Sequence, residues 1–333
     1  MRIVVFGAGA VGGVIGARLF QAGNDVVLIA RGPHAAAIER DGLTLVAPGE
    51  RVVLRVPVAR SPVEVDWADP AVVLLATKGQ DTLGAVADLA AVVPPTTPVV
   101  CAQNGVENER RVLRRFARTY GICVMCATTH LEAGVVEAHY APVTGLMDIG
   151  RYPDGEDDVT VDVAAALRDA GFGSVSRPDI MYWKYRKLIS NLANAVEALC
   201  GPGGGRSRLA DAARAEGERC LRAANIDVAS VDEDAERRRE LRVGSPAVSS
   251  TPPARSGGST WQSLERRAPS VEAEFLNGEV VLLGRLTGVP TPVNELLMAQ
   301  VERAARTGEG PGRHSPDELL DRLPPGSIDG ATA

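Results

Sequence analysis

The sequence predicts an α/β protein in which a doubly wound parallel sheet at the N-terminus is followed by an all-helical C-terminal domain. Three observations predict it. Short apolar runs alternate with helix-compatible stretches over the first 150 residues, in strand-helix-strand units of about 25–30 residues. A glycine-rich turn joins the first run to the first helix. From Val159 onward strand-like runs become rare and long helical patterns replace them.

The runs Arg2–Phe6, Asp25–Ala30, Ala71–Ala76 and Pro98–Ala102 are apolar on both faces, as parallel strands covered by helices on either side require. Between them, Ala10–Gln21, His34–Asp41, Asp81–Val92 and Glu107–Arg118 have helix-compatible composition. Ile122–Ala127 reads as a further buried strand, and Glu132-Ala133-Gly134 as a hairpin flanked by His130 and His139. Helices are then expected over Val159–Asp169, Asp179–Leu199, Ser207–Ala223, Val271–Thr287 and Val293–Arg306. Pro246, Pro252, Pro253, Gly257 and Gly258 make Arg242–Gly258 a loop or mobile linker. Expected domains are therefore 1–176 for a dinucleotide, 177–306 for substrate and catalysis, and a poorly ordered tail at 307–333 with a short helix at Pro316–Leu323.

Composition narrows the functional classes. The 333 residues carry 36 Lys+Arg against 42 Asp+Glu, a net charge of −6, which gives no electrostatic reason to expect nucleic acid or an anionic membrane as partner. Apolar runs such as Ala71–Thr77 fall short of the roughly 20 residues of a spanning helix, and the N-terminus begins as a strand rather than a secretion leader. A cytoplasmic protein is expected. Its five Cys (101, 123, 126, 200, 220) are odd in number and irregularly spaced, arguing against structural disulfides. Cys123 and Cys126 have CxxC spacing, but residues three apart on a strand face opposite ways, so packed thiols are expected and no metal site.

Gly7-Ala8-Gly9-Ala10-Val11-Gly12 is a GxGxxG placed directly between a strand and a helix, the context that turns this motif into a dinucleotide site. Gly7 would allow the tight turn, Gly9 the approach of a pyrophosphate to the helix N-terminus, and Gly12 close helix-strand packing. The second strand ends in Arg31-Gly32 with no carboxylate to receive a ribose 2′-hydroxyl, which favours NADPH/NADP+, with Arg31 on the 2′-phosphate or else a solvated strand-end charge. Two further strand ends are polar. Lys78 is either a charge for phosphate or substrate carboxylate or a solvated loop residue, and Asn104 either binds a small polar ligand or belongs to an Asn-Gly turn.

Lys187, Asn191 and Asn194 stand at i, i+4 and i+7, beside an apolar stripe of Leu188, Leu192, Ala195 and Leu199. From Leu188 to Leu199 only Glu197 is charged, so these amides are expected to be buried and to need partners. A polar small molecule would supply them, and Lys187, partly desolvated, would be a general acid for an oxyanion formed during hydride transfer. The alternative is a Lys reaching past the helix edge to solvent, with the amides satisfied by backbone.

With these residues the chain resembles the 2-dehydropantoate 2-reductase (ketopantoate reductase) family over roughly residues 1–305. The resemblance rests on the glycine loop through Gly13, Lys78, Gln103-Asn104-Gly105, Thr128-Thr129-His130, Arg186-Lys187-Leu188 with Asn191, Ser259-Thr260-Trp261-Gln262, and Glu272 through Asn277-Gly278. It implies a Rossmann-type N-terminal domain and NADPH-dependent reduction of the C2 ketone of 2-dehydropantoate to pantoate, on the route to pantothenate and coenzyme A. Lys187 is then the general acid, Glu272 its carboxylate partner, Asn104, Asn191 and Ser259 substrate ligands, and Arg31 the 2′-phosphate residue. Three departures bear on the substrate. Ala195 stands where the family often has a second Asn, with Asn194 one residue earlier; the Pro that commonly follows is absent; and a one-residue insertion separates Ser259 from Glu272. The alternatives are a related reductase of another 2-oxo acid, and a non-catalytic NADP(H)-binding sensor. The active site is expected between the domains, closing after NADPH binds, in a monomer or homodimer.

Overall fold

The computed structural model describes residues 1–242, 257–325 and 327. The chain opens as β1 (Arg2–Phe6), α1 (Ala10–Gln21), β2 (Asp25–Ile29) and α2 (Gly32–Asp41), then a hairpin of β3 (Leu43–Ala47) and β4 (Glu50–Leu54), and β5 (Val58–Ala59). Next come β6 (Val72–Leu75), α3 (Thr82–Ala90), β7 (Val99–Cys101), α4 (Asn108–Leu113), β8 (Thr119–Met125), the short strands β9 (Thr128–Thr129) and β10 (Val135–Ala138), β11 (Leu146–Arg151) and α5 (Asp158–Asp169). The remaining helices are α6 (Ile180–Asn191), α7 (Ala193–Cys200), α8 (Arg208–Ala223), α9 (Val231–Arg239), α10 (Ser259–Glu265), α11 (Asn277–Thr287), α12 (Pro292–Thr307) and α13 (Pro316–Leu320).

The central sheet has seven strands in the order β11-β8-β7-β6-β1-β2-β5, all parallel except β11, which pairs antiparallel with β8. Its strands are buried on both faces because alternate residues enter two cores. Ile3 and Val5 of β1 join α1 and α5 on one side, while Val4 and Phe6 join α3 on the other. The chain winds from β1 to β2 on one side and to β6 on the other, so the switch point lies between β1 and β6.

The four strands read in the sequence and helices α1 to α3 are all present, and β9 and β10 form the expected antiparallel hairpin. The β3–β4 hairpin was not anticipated; it builds a second sheet, β4-β3-β10-β9. Helix α4 ends at Leu113, before the expected Arg118, because the following residues are claimed by the sheet: Val99 donates to the Arg118 carbonyl at 2.9 Å and Phe116 is fully buried.

Two compact units emerge. Unit 1 holds residues 1–184 together with α9, and unit 2 holds 185–229 with the described residues from 257 onward. The expected boundary at 176/177 therefore moves into α6, and the helical stretch around α9 joins the α/β unit. The cause is electrostatic. Arg237 of α9 clasps the buried Asp148 carboxylate at 2.6 and 2.8 Å, and Arg177 reaches the same carboxylate at 2.7 Å. In unit 2 the apolar faces of α7, α8, α11 and α12 share one core.

The expected helix Asp179–Leu199 is interrupted at Leu192, whose carbonyl accepts from the Asn277 side-chain amide at 3.3 Å. Most of the expected tail is packed rather than poorly ordered: Gly312 and His314 donate to the Ala198 and Leu199 carbonyls at 2.9 Å, and Leu319 of α13 is fully buried. The expected linker lies, apart from its ends, outside the described residues. Among those described, no helix is long and apolar enough to cross a membrane.

Candidate active site

The glycine loop follows β1 at the switch point. Gly7 has φ +105°, a left-handed conformation that glycine adopts without strain, and its amide donates to the Ile29 carbonyl at 3.0 Å. A Cβ on Gly12 would stand 2.1 Å from the Gly7 carbonyl oxygen and 2.8 Å from Ala76 Cβ, so only glycine lets α1 pack here. A Cβ on Gly9, by contrast, would meet nothing within 4 Å. Gly9 faces open space at the N-terminus of α1, the arrangement a pyrophosphate needs. Ala8 is buried, while Ala10 and Val11, the first residues of α1, are half-buried.

Beyond the carboxyl ends of β1, β2, β5 and β6 lies a cavity of about 240 Å³ lined in part by Phe6, Arg31, Arg60, Thr77, Gln80 and Asp81. Arg31 is exposed at its mouth, its guanidinium 4.0 Å from Asp81. Arg60, which the sequence reading passed over, brings a second guanidinium to the lining and is held by Glu39 at 2.8 Å. An open loop at a helix N-terminus fits the pyrophosphate of a dinucleotide, and the cavity beside it presents two guanidinium groups along with the carboxylates of Asp81 and Asp88.

Lys78 caps the short turn that follows β6, and Asn104 follows β7; both are half-buried. A buried polar chain joins these two exits. Gln103 donates through Nε2 to the Thr77 carbonyl at 2.8 Å and to Thr82 Oγ1 at 3.0 Å. Thr82 in turn donates to Asn108 Oδ1 at 2.8 Å, and Asn108 donates to the Asn104 carbonyl at 3.1 Å.

His34, the third residue of α2, secures the loop from the other side. The Gly134 amide donates to its Nδ1 at 2.9 Å, so Nε2 carries the proton and donates to the Ala8 carbonyl at 2.7 Å. Burial, with the His130 ring 4.1 Å away, pushes its pKa down to about 4, so it is neutral at physiological pH. Of the CxxC pair, Cys123 is buried and Cys126 half-buried; burial pushes the Cys126 thiol up to about 12 and the Cys101 thiol well above its usual range.

The remaining candidate residues lie in unit 2. Lys187 is half-buried on α6 and Asn191, the last residue of that helix, is buried. Glu272 is buried at the start of a 3-10 turn, Glu272–Phe275, rather than in the continuous helix expected over Val271–Thr287. Asn194 on α7 and Ser259, the first residue of α10, are brought together. A Cβ on Gly258, next to Ser259, would stand 3.4 Å from Asn194 Oδ1 and 3.1 Å from Glu197 Oε2. Behind this face, Asn277 donates to Asn294 Oδ1 at 2.9 Å, and Asn294 donates to Glu216 Oε2 at 2.7 Å. Among the described residues no cluster of His, Cys, Asp and Glu could hold a metal.

A glycine loop at the switch point of a doubly wound sheet, in a chain with a second, helical unit, is the arrangement of a dinucleotide-binding protein. Two family models match the chain: ketopantoate reductase PanE/ApbA over residues 3–154 and its C-terminal domain over residues 179–305. The 2-dehydropantoate 2-reductase of Mesorhizobium japonicum is 30% identical over 92% of this chain and 98% of that protein. Its counterpart in Pyrococcus horikoshii is 26% identical over 93% and 99%. A PanE/ApbA family ketopantoate reductase from Ralstonia eutropha superposes with a TM-score of 0.76 at 27% identity, covering 93% of this chain and 100% of that one. D-mandelate dehydrogenase in a ternary structure with NADH and anilino(oxo)acetate shares the fold, with a TM-score of 0.77 at 22% identity and coverage of 92% and 99%. The chain belongs to the ketopantoate reductase family.

Proposed function

We propose that this chain reduces the C2 ketone of 2-dehydropantoate to the C2 alcohol of pantoate, using NADPH, in the cytoplasmic route to pantothenate and coenzyme A. The reading is carried by one observation: in a family member with near-full-length relatives named for this reaction, unit 2 holds half-buried Lys187 together with the buried carboxylate Glu272.

Bound NADPH supplies the hydride that C2 receives. The Lys187 ammonium donates a proton to the carbonyl oxygen as negative charge develops there, so hydride and proton together make the secondary alcohol. The neutral amine left behind is reprotonated from solvent. Glu272 is the carboxylate that orients the ammonium. Asn104, Asn191, Asn194 and Ser259 hold the substrate through hydrogen bonds from side chains able to donate and accept. Gly7 to Gly12 and the N-terminus of α1 would hold the cofactor's pyrophosphate and Arg31 its 2′-phosphate, and Lys78 would offer a charge to a cofactor phosphate or the substrate carboxylate.

The test is NADPH oxidation, followed at the nicotinamide absorbance, with 2-dehydropantoate and a panel of other 2-oxo acids. Turnover of 2-dehydropantoate well above the rest supports the reading; NADPH binding without its reduction rejects the substrate and keeps the cofactor. A second reading, another 2-oxo acid as substrate, is favoured by the Glu197 carboxylate beside Asn194 and by buried Ala195 in place of an amide.

A further inference from the structure

Lys184 lies on α6 one turn before Lys187, yet its side chain is buried within unit 1, only 2% exposed, against a Glu109 side chain that is 0% exposed. Its ammonium stands 2.7 Å from Glu109 Oε1 as an ion pair and donates to the Gln103 carbonyl at 2.9 Å and the Ile122 carbonyl at 3.1 Å. Strand β8 makes room for the pair with a glycine. A Cβ on Gly121 would stand 3.0 Å from Glu109 Oε1 and 3.2 Å from Lys184 Cδ.

A well-packed apolar pair would fill this space without desolvating two charges, so a buried ion pair is not explained by stability. What it adds is direction. The ammonium fixes the Gln103 carbonyl at the point where the chain leaves β7 for Asn104, and the Gln103 side chain carries the constraint to Thr77, next to Lys78. The first two residues of α4 close the circuit: Glu109 binds the ammonium, and Asn108 binds both Thr82 and the Asn104 carbonyl.

We propose that the Lys184–Glu109 pair is a positioning device that holds the Thr77-Lys78 and Gln103-Asn104 exits in the geometry that receives cofactor and substrate. It rests on the reductase reading for its substrate arm. Its cofactor arm needs only that NADPH binds.

The test replaces the pair with apolar side chains, Lys184→Met with Glu109→Leu, and reads thermal midpoint, NADPH affinity by nicotinamide fluorescence, and KM and kcat for 2-dehydropantoate. The expected result is a midpoint within a few degrees of wild type, with NADPH Kd and KM each raised about tenfold, the scale of one lost hydrogen bond to a charged group. Thr82→Val leaves the buried charges intact and cuts the link from Gln103 to Asn108, and is expected to move both constants in the same direction by about threefold. Wild-type Kd and KM in the double variant overturn the proposal. If the double variant does not fold, wild-type constants in Thr82→Val overturn it instead. A wild-type chain that binds NADPH but does not reduce 2-dehydropantoate removes the substrate reading, while a raised NADPH Kd in the variants still supports the positioning role. A wild-type chain that does not bind NADPH overturns both.

Discussion

The candidate binding features of unit 1 at the glycine loop are largely backbone, whereas those proposed for unit 2 are side chains. At the glycine loop the candidate features are an absent Cβ at Gly9, a close approach at Gly12 and an open helix N-terminus. In unit 2 the proposed features are the side chains of Lys187, Asn191, Asn194 and Glu272. The difference teaches which perturbation each half tolerates. A backbone-built site fails when atoms are added, and a side-chain-built site fails when they are removed.

The largest expected effect breaks the chemistry and spares the binding. Lys187→Ala should lower kcat by roughly two to four orders of magnitude, the range for a positioned general acid. NADPH affinity measured by fluorescence should stay near wild type; near-normal turnover would take Lys187 out of the mechanism.

Gly9→Ala is the complementary break. The added methyl meets no protein atom within 4 Å, so the thermal midpoint should hold while NADPH Kd rises about ten- to a hundredfold through a clash with ligand alone. An unchanged Kd would place the pyrophosphate elsewhere. Arg31→Ala sharpens the picture further. Loss of a charge-assisted phosphate contact should weaken NADPH by about tenfold or more and NADH far less, with Arg60→Ala giving a smaller effect of the same sign. Equal losses for both dinucleotides would reject a 2′-phosphate role.

The smallest expected effect concerns pH. His34 is held neutral, its pKa lowered from 6.5 to about 4, so the folded state binds fewer protons than the unfolded chain between those values. Its contribution is complete above about pH 6.5 and is lost as pH falls toward 4. After allowance for partial exposure it amounts to about 1–2 kcal/mol. Denaturant titrations at pH 7 and pH 5 should show that loss in wild type and a smaller one in His34→Gln; identical losses would remove His34 as the cause.

Much of unit 1 was legible because its signals are local. The two-faced apolar runs of β1, β2, β6 and β7 and the glycines between β1 and α1 report burial and close approach within a few residues. Candidate residues could be singled out where a strand end or helical periodicity marked them, as with Arg31, Lys78 and Asn104 at strand ends and Lys187 and Asn191 on one helical face. Glu272 carried no such signal, since a single acid near a helical pattern looks like a solvated charge, and only the resemblance to a family singled it out. The β3–β4 hairpin was missed because its outer strand alternates half-buried with exposed residues and borders no long apolar run.

By itself the sequence determined the α/β class, the glycine turn between β1 and α1 and the helical character of the second half. Each depends on the spacing of apolar or small residues along the chain. The tertiary structure alone decided where α6 is interrupted, to which unit α9 belongs, and what the buried charges hold. Asn277 meets Leu192 across 85 positions, Arg237 meets Asp148 across 89, and Lys184 meets the Gln103 carbonyl across 81. Desolvated polar groups must find partners wherever the fold brings them, and no periodicity records a partner that far away.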